Sequence, residues 1–593
     1  MTLPIEDYAF VGDCESGALV SRDGSIDWLC WPRFDSPACF AALLGDRENG
    51  HWTLAPASRP QSRTRRYRDD TLILETDYDC SSGRVRVIDF MPPCNGRSDL
   101  IRLVVGLGGH VDMCSELRIR FDYGEVTPWV TRIEDDTVRA IAGPDMVVLR
   151  TSAPMHGVGR ETVSTFTVRK GEQVPFLLSY HASHESIPKR IDVDAQLAGT
   201  ESFWLTWAQR CMDFGPYTSI IRRSLLTLKA LTYAPTGGIV AAVTTSLPEY
   251  LGGERNWDYR YCWLRDASFC LDALLDVGYM DEALAFRDWL TRAAANSIDR
   301  LQVMYGLRGE RRLPEVELTH LRGYHDSQPV LIGNDASHQF QLDIYGEVAD
   351  ALSNAVIKGA PPSPLTYRLA IELMSVLEKR WTEPDAGIWE VRGPPQHFTY
   401  SKVMAWVMFD RVIRAAAYNP GRAIPIERWK TIRDTIHEEV CAKAWNPDVG
   451  AFTQAYGSPY LDASVLRMAL VGFLEPSDPR IVATVDAIAR RLRTGCFVRR
   501  YESALVDDGL KPGEGSFLAC SFWLADNYIL QGRVDEGRAL FDELITLCND
   551  VGLLSEEYDP VAKRFLGNYP QAFSHVALVG TGIRLHRALL DLK

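Results

Sequence analysis

Near residue 200 the hydrophobic period of this chain changes, and that change constrains the fold more than any other feature. Before it, strand signals dominate. Leu72-Ile73-Leu74-Glu75-Thr76 leads through a Ser-Ser-Gly turn into Arg84-Val85-Arg86-Val87-Ile88-Asp89-Phe90, the pattern of a β-hairpin. Glu116-Leu117-Arg118-Ile119-Arg120-Phe121 alternates polar and apolar as a half-buried strand does, and Val147-Val148-Leu149 and Pro175-Phe176-Leu177-Leu178 continue the pattern. An N-terminal sandwich of antiparallel sheets is the expectation. After residue 200 the period is helical. Twelve segments have helical length and pattern, at about 217–232, 265–277, 280–297, 335–356, 363–381, 401–417, 426–444, 461–473, 479–494, 516–530, 534–548 and 572–590. In the eleventh, Val534, Leu540, Phe541, Leu544, Ile545 and Cys548 fall largely on one face, and Gln531-Gly532-Arg533 joins it to its predecessor by a short connection of the antiparallel kind. Twelve helices make six hairpins, and six hairpins closed into a ring are an (α/α)6 barrel. No repeat at solenoid periods competes with that reading. The expected organisation is a β-sandwich over 1–185, a helical linker over 186–214 and the barrel over 215–593.

At 593 residues the chain exceeds one ordinary core, in keeping with several domains. Its net charge of −14 is spread over mixed signs with no basic block, which argues against a nucleic-acid partner. Thirteen cysteines include no C-x-x-C pair, several lie in apolar runs such as those around Cys262, Cys270 and Cys520, and reduced thiols are expected. Met1 to Tyr8 has neither a basic nor a long apolar segment, and no uncharged apolar run reaches the ~18 residues a membrane helix needs. A cytoplasmic protein without a membrane partner is expected.

Candidate chemistry sits where aromatics stand among charged residues. Asn256-Trp257-Asp258-Tyr259-Arg260-Tyr261-Cys262-Trp263-Leu264-Arg265-Asp266 combines rings that stack on sugar faces with Arg and Asp groups that bind hydroxyls, and Asp266 is placed to cap the next helix. Gly387-Ile388-Trp389-Glu390-Val391-Arg392-Gly393 flanks a carboxylate with apolar residues that would raise its pKa toward general-acid range. Leu553-Leu554-Ser555-Glu556-Glu557-Tyr558 offers a carboxylate that can activate water. Two carboxylates across a pocket are what cleavage of a glycosidic bond demands. Each stretch also has a structural reading: an aromatic core layer with a helix cap, a surface Glu390–Arg392 pair, and an exposed acidic loop. Arg500-Tyr501 with Glu514-Gly515-Ser516-Phe517, and Gly333-Asn334-Asp335 with Gln339 and Asp343, are weaker groups. There is no G-x-S-x-G, P-loop or H-E-x-x-H; Gly106-Leu107-Gly108-Gly109 lacks dinucleotide spacing, and His181 and His184 lack zinc-ligand spacing. No cofactor and no metal are expected.

Together these strings resemble glycoside hydrolase family 15, the glucoamylases, glucodextranases and bacterial trehalases. Ile5-Glu6-Asp7-Tyr8-Ala9-Phe10-Val11-Gly12-Asp13, Asp23-Gly24-Ser25-Ile26-Asp27-Trp28-Leu29-Cys30, Pro32-Arg33-Phe34-Asp35-Ser36-Pro37, Gly333-Asn334 with Gln339 to Asp343 and Gly346-Glu347-Val348, and Pro570-Gln571-Ala572-Phe573-Ser574-His575 are similar to the trehalase-like branch. The resemblance implies Glu390 as general acid, Glu556 as general base and Tyr259 beside the nucleophilic water. It places Arg265 and Asp266 on the cleaved sugar, Trp263, Trp389 and Phe573 along the pocket, and Arg500 as a substrate contact; from the residues themselves, the second carboxylate, Glu557, is expected to bind a substrate hydroxyl or an Arg. It implies inversion at the anomeric carbon and a small α-glucoside partner. Trehalose is the leading substrate, short α-1,4- or α-1,6-glucosides the alternative, and a silent sugar-binding protein the reading from another class; a homo-oligomer is possible. Two departures stand out: Glu557 makes a second acidic neighbour to the base, and Gly323-Tyr324-His325-Asp326-Ser327 carries His325 where Arg is expected, a change placed in the leaving-sugar region.

Overall fold

The computed structural model describes residues 3–93, 96–295, 301–361, 363–416 and 424–592. Every strand pairing in the N-terminal part is antiparallel, and the long strand Ser98–Arg118 is its spine. Its first half pairs with Gly83–Phe90 and Gln173–Ala182, and its second half with His51–Pro56 and Glu161–Arg169. The change of partners falls at Gly106-Leu107-Gly108-Gly109. Gly109 has φ +61°, and a Cβ on Gly106 would stand 2.0 Å from the carbonyl oxygen of Arg169, so this stretch needs glycine to bend. The Ser-Ser-Gly hairpin forms as expected, with Cys80 opposite Gly83.

Thirteen α-helices follow among the described residues: α1 (Val193–Ala208), α2 (Thr218–Ala230), α3 (Leu264–Asp276), α4 (Met280–Ala293), α5 (Asp343–Ile357), α6 (Pro364–Arg380), α7 (Thr399–Ala416), α8 (Ile426–Lys443), α9 (Arg467–Leu470), α10 (Pro479–Arg491), α11 (Leu518–Leu530), α12 (Val534–Ile545) and α13 (Ala572–Asp591). Helix α1 lies in the expected linker, where Trp207 stacks on Tyr279 at 4.1 Å. The others match the twelve expected segments, whose ends at 297 and 417 lie outside the described residues.

Two segments differ. The stretch from 335 opens only a 3-10 turn, Asp335–His338, because the Asn334 side chain caps Ala336 N and the chain then extends at Gln339. Leu342 N is held by Asp385 Oδ2 at 2.9 Å, and the helix proper starts one residue later at Asp343. The stretch 461–473 is a 3-10 turn, Ala463–Leu466, running into the single turn of α9, and Gly472 at φ +72° follows it.

Helix α3 packs on α5, α5 on α7, α7 on the turn 463–470, that turn on α11, α11 on α13, and α13 back on α3, which closes a circuit. Outside it, α2 lies on α13, α4 on α3, α6 and α8 on α7, α10 on α11, and α12 on α11 and α13. Burial follows the sequence. Helix α11 is buried from Leu518 to Ile529, whereas α8, rich in charged residues, buries only Trp429, Ile436 and Val440.

The β part braces this helical part. Trp28 Nε1 donates to Val243 O at 2.7 Å, Asn549 Nδ2 donates to Glu6 O and Tyr8 O at 3.1 and 3.0 Å, and Arg65 pairs with Asp550 at 2.7 Å. Among the described residues no helix is long and apolar enough to cross a membrane.

Candidate active site

Six connections lead into the helices of the circuit; residues from five of them line two cavities, and the sixth, before the 463–470 turn, contributes Asp462, which holds Trp389. Helix N-termini present unpaired N–H groups and partial positive charge, which suits a site rich in carboxylates.

An inner cavity is lined by Tyr259, Trp263, Arg265, Asp266, Trp389, Glu390, Arg500, Glu556 and Phe573, all expected from sequence, and by Ala241, Ile388, Phe517 and Gln571. An outer cavity shares Tyr259, Trp389, Glu390 and Arg500 with it and adds Glu249, Arg255, Trp257, Asn334, Ala336, Val391, Arg392, Tyr501, Asp508 and Leu510. Glu390 therefore stands where the two cavities meet, while Glu556 faces the inner one alone.

Glu390 follows the turn opened by Gly387 and itself has φ +57°, a conformation unfavourable for a side chain with a Cβ. The surroundings over-determine it. Trp263 Nε1 donates to Glu390 Oε1 at 2.7 Å, Arg265 Nη1 lies 3.4 Å from the same oxygen and bonds Ile388 O at 2.6 Å, and Gln339 Nε2 donates to Glu390 O and Val391 O at 3.2 Å. Burial raises the Glu390 carboxyl above its ordinary range, against the pull of Arg265 and of the Trp263 hydrogen bond. Arg392 pairs with Glu315, at 3.2 Å, which replaces the surface Glu390–Arg392 pair of the structural reading.

Glu556 immediately precedes the strand Glu557–Asp559. Tyr259 OH donates to Glu556 Oε1 at 2.6 Å, and Gly567 makes room for the carboxylate: a Cβ there would lie 2.4 Å from Glu556 Oε2. Burial, then the neighbouring Glu249, pushes the Glu556 carboxyl up, while the Tyr259 hydrogen bond and Arg500 pull it down. Glu557, the first residue of that strand, is turned away from the cavity. Its Oε2 accepts from Gly515 N at 2.8 Å, its Oε1 lies 3.7 Å from Arg500, and it lines neither cavity. Burial and Glu249 raise it strongly as well. The acidic loop is thus buried.

Arg500 ties this wall together. It bonds Glu249 at 2.8 Å and Glu514 at 2.5 Å, and its guanidinium lies over Trp389 and Phe517. Glu249, Glu514 and Glu557 bring carboxylate oxygens within 4.8 Å of one another, a grouping of cation-site type, and the guanidinium supplies positive charge there. Arg265 bonds Asp266 at 2.7 Å and lies over the Phe573 ring. Asp266 is not the cap expected of it, because α3 starts at Leu264 after Trp263, whose extended backbone pairs with Met304. Trp389 Nε1 donates to Asp462 at 2.9 Å. His325 and Asp326 line neither cavity; the adjacent Tyr324 OH bonds Leu3 O at 3.0 Å, which places this motif against the β part.

Residues 215–582 match the family described as Glycosyl hydrolases family 15, and residues 1–191 match that described as Trehalase-like, N-terminal. A trehalase of Mycolicibacterium smegmatis is 38% identical over 99% of this chain and 92% of its own. A trehalase of Thermoplasma volcanium is 32% identical over 99% of this chain and 94% of its own. A solved bacterial glucoamylase in complex with acarbose superposes with a TM-score of 0.74 at 12% identity, covering 99% of this chain and 94% of that one, a likeness of fold.

Proposed function

The chain belongs to glycosyl hydrolases family 15 and is a glycoside hydrolase, and from that premise we propose that it is an inverting α,α-trehalase. The observation that carries the mechanism is the placement of Glu390 at the junction of the two cavities with Glu556 in the inner one. A glucosyl ring in the inner cavity and the leaving glucose in the outer one put the bridging oxygen beside Glu390. Glu390 then protonates that oxygen as general acid. Glu556 removes a proton from a water on the opposite face of the ring, and the water attacks the anomeric carbon to give β-glucose from an α-linkage. Tyr259 holds the base and positions the water. Arg265 and Asp266 bind hydroxyls of the cleaved ring, Trp263, Trp389 and Phe573 shape its walls, Arg500 orients the carboxylates facing it, and Glu557 acts through Arg500.

Inversion calls for carboxyl groups roughly 6.5–9.5 Å apart, room for a water between acid and base. The closed circuit of helices with a second layer outside supports the (α/α)6-barrel reading over 215–593, and the spine strand that changes partners supports a β-sandwich over 1–185, with 186–214 as linker. Twelve free cysteines among the described residues, nine of them buried, fit the reducing cytoplasm.

Trehalose, maltose and isomaltose offered in parallel, with the released anomers read by proton NMR at early times, test the proposal. Release of one β- and one α-glucose from trehalose alone is the expected result. Turnover of maltose or isomaltose in its place assigns the shorter α-glucosides, and two α-glucoses at first release refute inversion.

A further inference from the structure

We propose that Arg392, clamped between Glu315 and Trp257, is the residue that selects the leaving sugar. Arg392 lies two residues beyond Glu390 and lines the outer cavity. Its backbone is fixed: Arg392 N and Gly393 N both donate to Asp508 O, at 2.8 and 3.0 Å, and Gln339 holds the two carbonyls before it. The approach of the Asp508 strip depends on Gly509, at φ +82°, since a Cβ there would stand 2.5 Å from the carbonyl carbon of Arg392. Asp508 is itself anchored by Arg255 at 2.7 Å and Tyr501 OH at 2.6 Å. The side chain is equally defined. Its guanidinium lies 4.8 Å over the Trp257 ring and bonds Glu315 Oε2 at 3.2 Å, while Trp257 Nε1 is held by Glu249 Oε1 at 3.1 Å.

This arrangement has the chemistry of a hydroxyl reader. A guanidinium has five N–H donors in a planar fork, and the bond to Glu315 uses one of them. Arg392 lines the cavity with 27% of its side chain exposed. Trp257 and Glu315 fix the fork's plane before substrate arrives, which spares the ordering of a long side chain on binding. A pyranose leaving group offers adjacent hydroxyls that match such a fork. A leaving group without hydroxyls gains nothing from it. Glu315 belongs to the connection between α4 and α5, so this connection acts on specificity through one ion pair.

The inference rests on the trehalase reading and on Glu390 as the acid, and α-glucosyl fluoride separates the two levels. Its glucosyl part fills the inner cavity while its leaving group is a single fluoride. For Arg392→Ala, kcat/KM on trehalose is expected to fall by about 10- to 100-fold, mainly through KM, the range for a hydrogen bond from a charged donor. On the fluoride the change should stay within about threefold. Arg392→Lys should recover little, because a point charge lacks the fork. Glu315→Gln should show the same split at roughly three- to tenfold, and it carries the test if Arg392→Ala does not fold. Equal losses on both substrates, or trehalose kinetics within about threefold of wild type, would overturn the proposal. A wild-type enzyme that cleaves the fluoride and maltose but not trehalose refutes the trehalase reading instead, and the same split is then read on maltose.

Discussion

The walls that carry Glu390 and Glu556 are built from different parts of the molecule. The Glu390 turn is held wholly by the helical part, through Trp263, Arg265 and Gln339 and through the Asp508 carbonyl. The loop of Glu556 is braced by the β part. Asn549 reaches Glu6 and Tyr8, Arg564 pairs with Glu6 at 2.9 Å, and Tyr569 OH donates to Tyr8 O at 2.7 Å. The electrostatics differ too. The strongest charge acting on Glu390 is the Arg265 cation, whereas on Glu556 it is the Glu249 carboxylate, opposed by Arg500. The proposed roles rest on position: of these two carboxylates Glu390 borders both cavities, where a bridging oxygen between them would lie, and Glu556 borders one.

The comparison can be broken from either side. Tyr259→Phe removes the donor that lowers the Glu556 pKa, so the base should stay protonated to higher pH. The acidic limb of kcat/KM against pH should move up and kcat fall by about 100-fold; an unmoved limb would detach Tyr259 from the base. Asn549→Ala leaves the Glu6 and Tyr8 carbonyls without that donor. It should cost about 2 kcal/mol in denaturant unfolding and lower kcat by roughly tenfold, with the Glu390 limb unchanged. Full activity would show that the β part braces nothing catalytic. Trp263→Phe acts on the other wall. Without the indole N–H the Glu390 carboxyl should titrate higher, so the basic limb should move up while kcat changes by roughly severalfold. A downward shift would contradict the origin assigned to its pKa.

Much of this was legible in the sequence, and the exceptions have physical causes. The strand and helix periods were readable because each element buries one face, or in α11 every face. The helix start is not legible at 335, because Asp335-Ala336-Ser337-His338 has helical composition while Leu342 is pinned by Asp385, distant in sequence. The inner cavity was legible through aromatics adjacent to charge, whereas it takes the structure to show that Glu556 lines it and Glu557 does not. The outer cavity was legible only in part, through Trp257, Asn334, Arg392 and Tyr501. Glu249, Glu315 and Asp508 stand in ordinary loop sequence, and only the ion pairs that Arg255, Arg392 and Arg500 make across connections bring them together. The cap proposed for Asp266 failed because Trp263 is already fixed by its bridge to Met304.

The division of labour between Glu390 and Glu556 is tested most directly by Glu390→Gln and Glu556→Gln on trehalose and α-glucosyl fluoride. Fluoride departs with little protonation, so the loss of an acid should be felt on trehalose far more than on the fluoride, whereas the loss of a base should be felt on both. The account expects Glu390→Gln to lose about 10^3-fold or more in kcat on trehalose while keeping most of its fluoride hydrolysis, and Glu556→Gln to lose comparably on both. Fluoride hydrolysis that survives Glu556→Gln and not Glu390→Gln would contradict it and exchange the two roles.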